Sequence, residues 1–146
     1  MKSEEIAAVP GAEKLIPFIE GELQYFRKRL RPIFFISSYQ SSNASFIKEL
    51  LPRHGEFRIH AKHKSAFKQS DLQELLLLEG VERLTLTGLK TATHLLPTAN
   101  DARTRGFEVS VPEPCAIDAD FAVHERAMLE LQQPLLNCLT YPKKRV

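Results

Sequence analysis

The chain has 146 residues, 43% hydrophobic and 26% charged, an ordinary globular composition long enough for one domain with a real core. Its 20 basic and 18 acidic residues are spread along the chain for a net charge of +2, so no basic face marks a nucleic-acid binder. No run reaches the ~18 apolar residues of a membrane span, and the acids of MKSEEIAAVPG stand where a secretion signal needs an apolar core. The expectation is a cytoplasmic protein. Cys115 and Cys138 form neither a CxxC pair nor a disulfide-dense pattern, in keeping with a reducing compartment.

In chain order, Leu15, Ile19, Leu23, Phe26 and Leu30 recur at helical spacing, which predicts an amphipathic helix from Glu13 to Arg31 with Pro17 tolerated near its first turn. Pro32 ends it. "IFFIS", Ile33 to Ser37, is a continuous apolar run of the kind buried on both faces of a parallel sheet. A short helix follows over Ser45 to Leu51, and "FRIHA" from Phe57 alternates as a strand. "SDLQELLLLEG" reads as a capped helix, with Ser70 and Gln73 at capping-box spacing and Gly80 as its stop. "RLTLTG" is the third strand, Thr91 to Arg105 a helix, "FEVSV" the fourth strand and Asp118 to Gln132 the last helix.

This alternation predicts an α/β fold: a three-layer, doubly wound parallel sheet of about four to five strands with helices on both faces. It forms a single domain, with a core over about 8–133 and a tail over 134–146. Ligands bind such sheets at the carboxyl ends of the strands. Two of those ends are chemically loaded. "HAKHKSAF" carries His60, Lys62, His63 and Lys64, and His94 lies at a helix start whose amides favour negative charge.

The phrases "VPGAEKLIPFI", "RPIFFIS", "ELLPRHGEF", "KSAF", "DLQELLLLEGVERLTLTGLKTAT", "TANDARTRGFEVSVPEPCA" and "HERAML", in that order and register from about Ala8 to Leu131, resemble the isochorismatase-like family of cysteine hydrolases. The resemblance implies a hydrolase of small amides and related compounds with an Asp, a Lys and a nucleophilic Cys. It also implies Gly88, Leu89 and Lys90 at the oxyanion turn, with Phe67 and His63 beside the substrate.

The departures bear on function. The family's nucleophile falls on His94, and an imidazole does not form the family's thioester. Its lysine falls on Ala61, so Lys62 takes that role only if the strand end shifts by one. Its aspartate strand has no counterpart before Pro10, and Glu4 and Glu5 are not expected to reach the site. Cys115 reads as a core thiol and Cys138 matches nothing. His124 and Glu125 read as structural, His54 as a surface turn residue, and Tyr39, Ser41 and Ser42 replace the Asp and His of metal-binding relatives.

The reading is therefore a catalytically degenerate family member without a cofactor. It takes a small-molecule ligand and forms a homo-oligomer or associates with a related subunit, with no nucleic acid or membrane partner. The alternative is an active amide or vinyl-ether hydrolase using Lys62, His63 and His94, with or without a metal. Two structural expectations accompany it. The Leu89–Lys90 peptide is trans, and "IFFIS" or "FRIHA" pairs directly with "RLTLTG" unless an oligomer fills the gap.

Overall fold

The structure, a computed structural model, describes residues 1–38 and 46–133. Helix α1 (Ser3–Ala7) leads through a tight 3₁₀ turn, Ala12–Leu15, into helix α2 (Ile16–Lys28). Pro17 in the first turn of α2 has no backbone N–H to give the preceding turn, so the single helix expected from Glu13 divides here. α2 also stops before Arg31. Leu30 turns left-handed at φ 51°, and the Arg31 N–H returns to the Phe26 carbonyl.

Six short strands follow among the described residues, all in parallel pairs. β1 (Phe34–Ser38) pairs with β2 (Phe57–Ala61), β3 (Arg83–Thr85) with β5 (Glu108–Ser110), and β4 (Gly88–Leu89) with β6 (Ala116–Ile117). Between β1 and β2 the helix expected over Ser45 to Leu51 contracts to a 3₁₀ turn at Lys48–Leu50, and its first residue lies outside the described residues.

α3 (Leu72–Leu78) begins two residues after Ser70. The expected capping box does not form: the Ser70 hydroxyl donates to the Ala66 carbonyl and accepts from the Leu72 N–H. Its far end is as expected. Gly80 takes φ 65°, the Gly80 and Val81 amides bond back to Leu77 and Leu76, and an L side chain there would be strained. After β4 a π-helical turn, Thr91–Leu95, runs into α4 (Leu96–Thr104), and α5 (Phe121–Gln132) closes the fold with Asp120 accepting from the Val123 N–H.

Two expectations about strands are corrected. "RLTLTG" is two strands, because β3 follows β5 while Gly88, at φ 139°, redirects the chain toward β6. The direct pairing of "IFFIS" or "FRIHA" with "RLTLTG" is absent. The ladder of β1 runs only to β2 and that of β3 only to β5 among the described residues, and an open groove of about 1280 Å³ separates the two half-sheets.

The packing of the outer layers explains why the groove does not close. Phe34 of β1 and Ile59 of β2 join Leu84 and Val109 in a core built on Phe67, Leu72, Leu76 and Phe107, beneath α3 and α4. On the opposite side Leu15 and Ile19 pack with Leu50, Cys115 and Leu89. Through the first of these cores α3 and α4 bridge both half-sheets and hold their spacing. Burial in these layers, roughly 25 cal/mol per Å² of apolar surface, outweighs what two short strands would gain by sliding together.

Candidate functional site at the mouth of the groove

The carboxyl ends of β2 and β4 meet at one end of the groove. The segment after β2 is drawn inward by polar contacts to α4: the Ser65 hydroxyl donates to Asp101 Oδ2 at 2.5 Å, and the Ala66 N–H donates to Thr98 Oγ1 at 3.1 Å. Phe67 then packs at 5.9 Å from Phe107. These contacts bury Ser65, Ala66 and Phe67 and leave Lys62, His63 and Lys64 exposed at the rim.

His94 comes from the π-helical turn. Lys90, before that turn, is held left-handed at φ 59° and ψ 60°, a conformation costing about 1 kcal/mol for a residue with a Cβ. The turn is fixed from two sides. The Thr91 hydroxyl, fully buried, lies 2.9 Å from His124 Nδ1, and the Ala92 N–H donates to Asp118 Oδ2 at 3.0 Å. His94 Nδ1 sits 3.3 Å from the Lys64 carbonyl, linking the two strand ends.

The sequence candidates divide accordingly. His63, Phe67, Gly88, Leu89, Lys90 and His94 all line the groove. Lys62 does not: it is exposed outside the groove, and Lys64 lines the wall instead. Glu5, expected to stand clear, also lines the groove. His60 is an exposed strand residue whose Nδ1 meets Ser37 Oγ at 3.0 Å, and His63 Nε2 meets Gln69 Oε1 at 2.8 Å. The Leu89–Lys90 peptide is trans. His54 lies in an exposed turn, and Glu125 is exposed on α5. Tyr39, Ser41, Ser42 and Cys138 lie outside the described residues. No cluster of metal-ligating side chains forms among the described residues.

The free amides expected at the helix start are otherwise engaged. Ala92 gives its N–H to Asp118, and the Thr93 and His94 amides both go to the Lys90 carbonyl. Positive character at the mouth therefore comes from the side chains of Lys64 and Lys90. Asp118 and Thr91 carry no motif in the sequence; their part depends on contacts 26 and 33 residues away.

Cys115 is 1% exposed in the core beside Leu15 and Leu50, and burial, reinforced by Glu22, pushes its thiol up to about 11. With a thiolate fraction near pH 7.5 on the order of a hundredfold below that of a free cysteine, it should resist alkylation. In a Cys138→Ser variant, iodoacetamide should leave the native protein unmodified over a period that fully labels the urea-unfolded chain. Native labelling at the rate of a small thiol would contradict this burial.

Parallel strands flanked by helices, with polar side chains gathered at the strand ends, define a doubly wound α/β domain. The isochorismatase domain family matches residues 6–141, and the chain belongs to that family. It is 30% identical over 88 residues to maleamate amidohydrolase of Pseudomonas putida, a match covering 60% of this chain and 41% of that protein. It is 25% identical over 145 residues to the isochorismatase family protein YaaI of Bacillus subtilis, covering 88% of this chain and 80% of that one. The fold superposes on an isochorismatase family protein from Desulfovibrio vulgaris with a TM-score of 0.81 at 20% identity, over 90% of this chain and 85% of the other. The match to the amidohydrolase thus spans less than half of that protein's length. No helix among the described residues is long and apolar enough to cross a membrane.

Proposed function

We propose that this member of a hydrolase family binds a small carboxylate-bearing carbonyl compound at the mouth of the groove without cleaving it by thiol chemistry. The observation that carries the reading is His94. It occupies the turn where the resemblance puts the family's thiol, half-buried and against the Lys64 carbonyl. Cys115 cannot substitute, being sealed in the core as the neutral thiol. Lys64 and Lys90 supply positive charge at the rim suited to an anion, with His63 and His94 beside them as hydrogen-bonding groups. The engaged Ala92, Thr93 and His94 amides leave those three donors unavailable to a developing oxyanion.

Incubated with maleamate or nicotinamide, the protein should release ammonia at the uncatalysed rate, and His94→Cys should recover little. Members of a catalytic unit act non-additively, and restoring the thiol leaves Ala61 where the resemblance puts the family's lysine. Titration calorimetry with maleate should show binding that Lys90→Gln weakens about tenfold, the loss of one charge-assisted contact of about 1.4 kcal/mol. Turnover by the wild type that iodoacetamide abolishes would sink the proposal. Turnover indifferent to iodoacetamide but lost in His94→Ala would favour hydrolysis through the imidazole, with Lys64 rather than Lys62 beside it.

A further inference from the structure

β1 and β2 have a second end, remote from the mouth of the groove. There the close of α2 and the turn from Arg53 to Glu56 enclose a pocket of about 400 Å³ at the amino ends of both strands. Small-ligand sites typically measure roughly 300–1,000 Å³. The local chain builds the walls. Leu30, left-handed at φ 51°, ends α2 and carries the chain into Arg31 on one wall, while Gly55 at φ 85° shapes the opposite turn, which the Glu56 N–H closes on the Arg53 carbonyl at 3.2 Å.

Three guanidinium groups line this pocket. The Arg27 side chain is 9% exposed; its Nε and Nη2 are committed to Glu56 and the Leu51 carbonyl, whereas Nη1 has no partner and stays open to solvent. The side chains of Arg31 and Arg53, both exposed, have no hydrogen-bond or ionic partner among the described residues. The acids of the pocket are Glu56 and Glu79. Both oxygens of Glu56 are taken, by Arg27 and the Arg53 N–H, and Glu79 is exposed on the rim without an ion pair. Three positive charges against two negative leave the pocket net positive before His54 is counted. The adjoining end of the groove carries Arg29 and Arg83 with Glu82 and Glu108, two charges of each sign, so the balance does not change.

We propose that this pocket binds a small phosphate monoester with an apolar substituent, at a site separate from the mouth of the groove. A phosphoryl group presents three oxygens to donors arriving from three side chains, and planar guanidinium forks match it, whereas a carboxylate presents two oxygens in one plane. Arg27 is held in place by Glu56 before any ligand arrives, so only the two exposed arginines must be ordered on binding. The substituent meets an apolar wall: Leu30 is 93% exposed, and Pro32, Ile33 and Phe57 line the pocket beside it. Glu79 opposes the anion from the rim, which gives its neutralisation a definite sign.

The test is titration calorimetry of the full 146-residue chain with phenyl phosphate. One saturable site is expected. Methyl phosphate should bind several-fold more weakly for want of cover over Leu30, and benzoate more weakly than phenyl phosphate. Arg31→Gln and Arg53→Gln should each weaken phenyl phosphate about tenfold, the loss of one charge-assisted contact. Circular dichroism should not change, because the bonds that Arg31 and Arg53 make to Phe26 and Glu56 come from the backbone. Arg27 is left in place, since its removal would strand Glu56. Glu79→Gln should tighten binding several-fold, and Lys90→Gln, at the mouth, should leave it unchanged. Absence of saturable binding, binding indifferent to both arginine substitutions, benzoate bound as tightly as phenyl phosphate, or an affinity lost in Lys90→Gln and kept in Arg53→Gln would each overturn the proposal.

Discussion

Leu76→Ala should lower stability by about 3 kcal/mol, seen as a fall in the urea midpoint with little change in slope. Leu76 is 1% exposed and sits on α3 in the core that includes Phe67, Leu72, Ala102 and Phe107. Truncation removes three buried carbons and leaves a void whose walls are rings and a helix, which cannot move in to fill it. The same core holds Phe34 of β1 and Leu84 of β3, so the void loosens the joint between the half-sheets. For a domain of this length the melting temperature should drop by roughly 10 °C. A loss under about 1 kcal/mol would show that the core relaxes freely around α3.

The second large effect is electrostatic. Arg27 of α2 grips Glu56 with two bonds, Nε to Oε1 at 2.7 Å and Nη2 to Oε2 at 2.9 Å, and donates to the Leu51 carbonyl at 3.0 Å. The Arg53 N–H adds a bond to Glu56 at 2.7 Å. The two side chains are only 9% and 11% exposed, so removing one partner strands a desolvated charge. Glu56→Gln should cost about 3 kcal/mol.

Burial opposes ionisation of Glu56, but the hydrogen bonds from Arg27 and Arg53 outweigh it and hold the carboxyl below its ordinary value; the bond to Glu56 raises Arg27 in turn. A carboxyl lowered by folding contributes fully above its unfolded value of about 4.3, and that contribution is lost as pH falls through the folded value. Urea midpoints taken from about pH 6 down to about pH 3 should therefore fall less steeply in Glu56→Gln than in the wild type. Parallel slopes would contradict the assignment.

What could be read from the sequence was what rests on neighbours in the chain. The stripe of Leu15, Ile19 and Leu23, the alternation of strands and helices, and Gly80 as a helix stop are local signals, and each has its counterpart in the structure. The division of "RLTLTG" was not legible, because β4 is drawn off by β6, a two-residue strand too short to show a period. Lys64 was missed in favour of Lys62 for a similar reason. Which lysine faces the groove is decided by Ser65 anchoring to Asp101, 36 residues away. The open groove was missed because the expectation counted strand pairing and left out α3 and α4, whose core joins both strand pairs and sets their spacing.

The pairing scheme also shapes how the chain assembles. Ser37 of β1 lies beside His60 of β2 at a separation of 23 residues, and Thr85 of β3 beside Ser110 of β5 at 25, so each half-sheet closes within a stretch about the length of one strand–crossover–strand unit. Such loops cost little entropy to close and form quickly. The molecule is in this sense two local parallel strand pairs, one crossing over through the 3₁₀ turn at Lys48–Leu50 and the other through α4, whose mutual docking comes last and depends on side chains rather than on shared backbone bonds. Amide exchange should then report two cooperative blocks, with the strands of each half opening together while the other half stays protected.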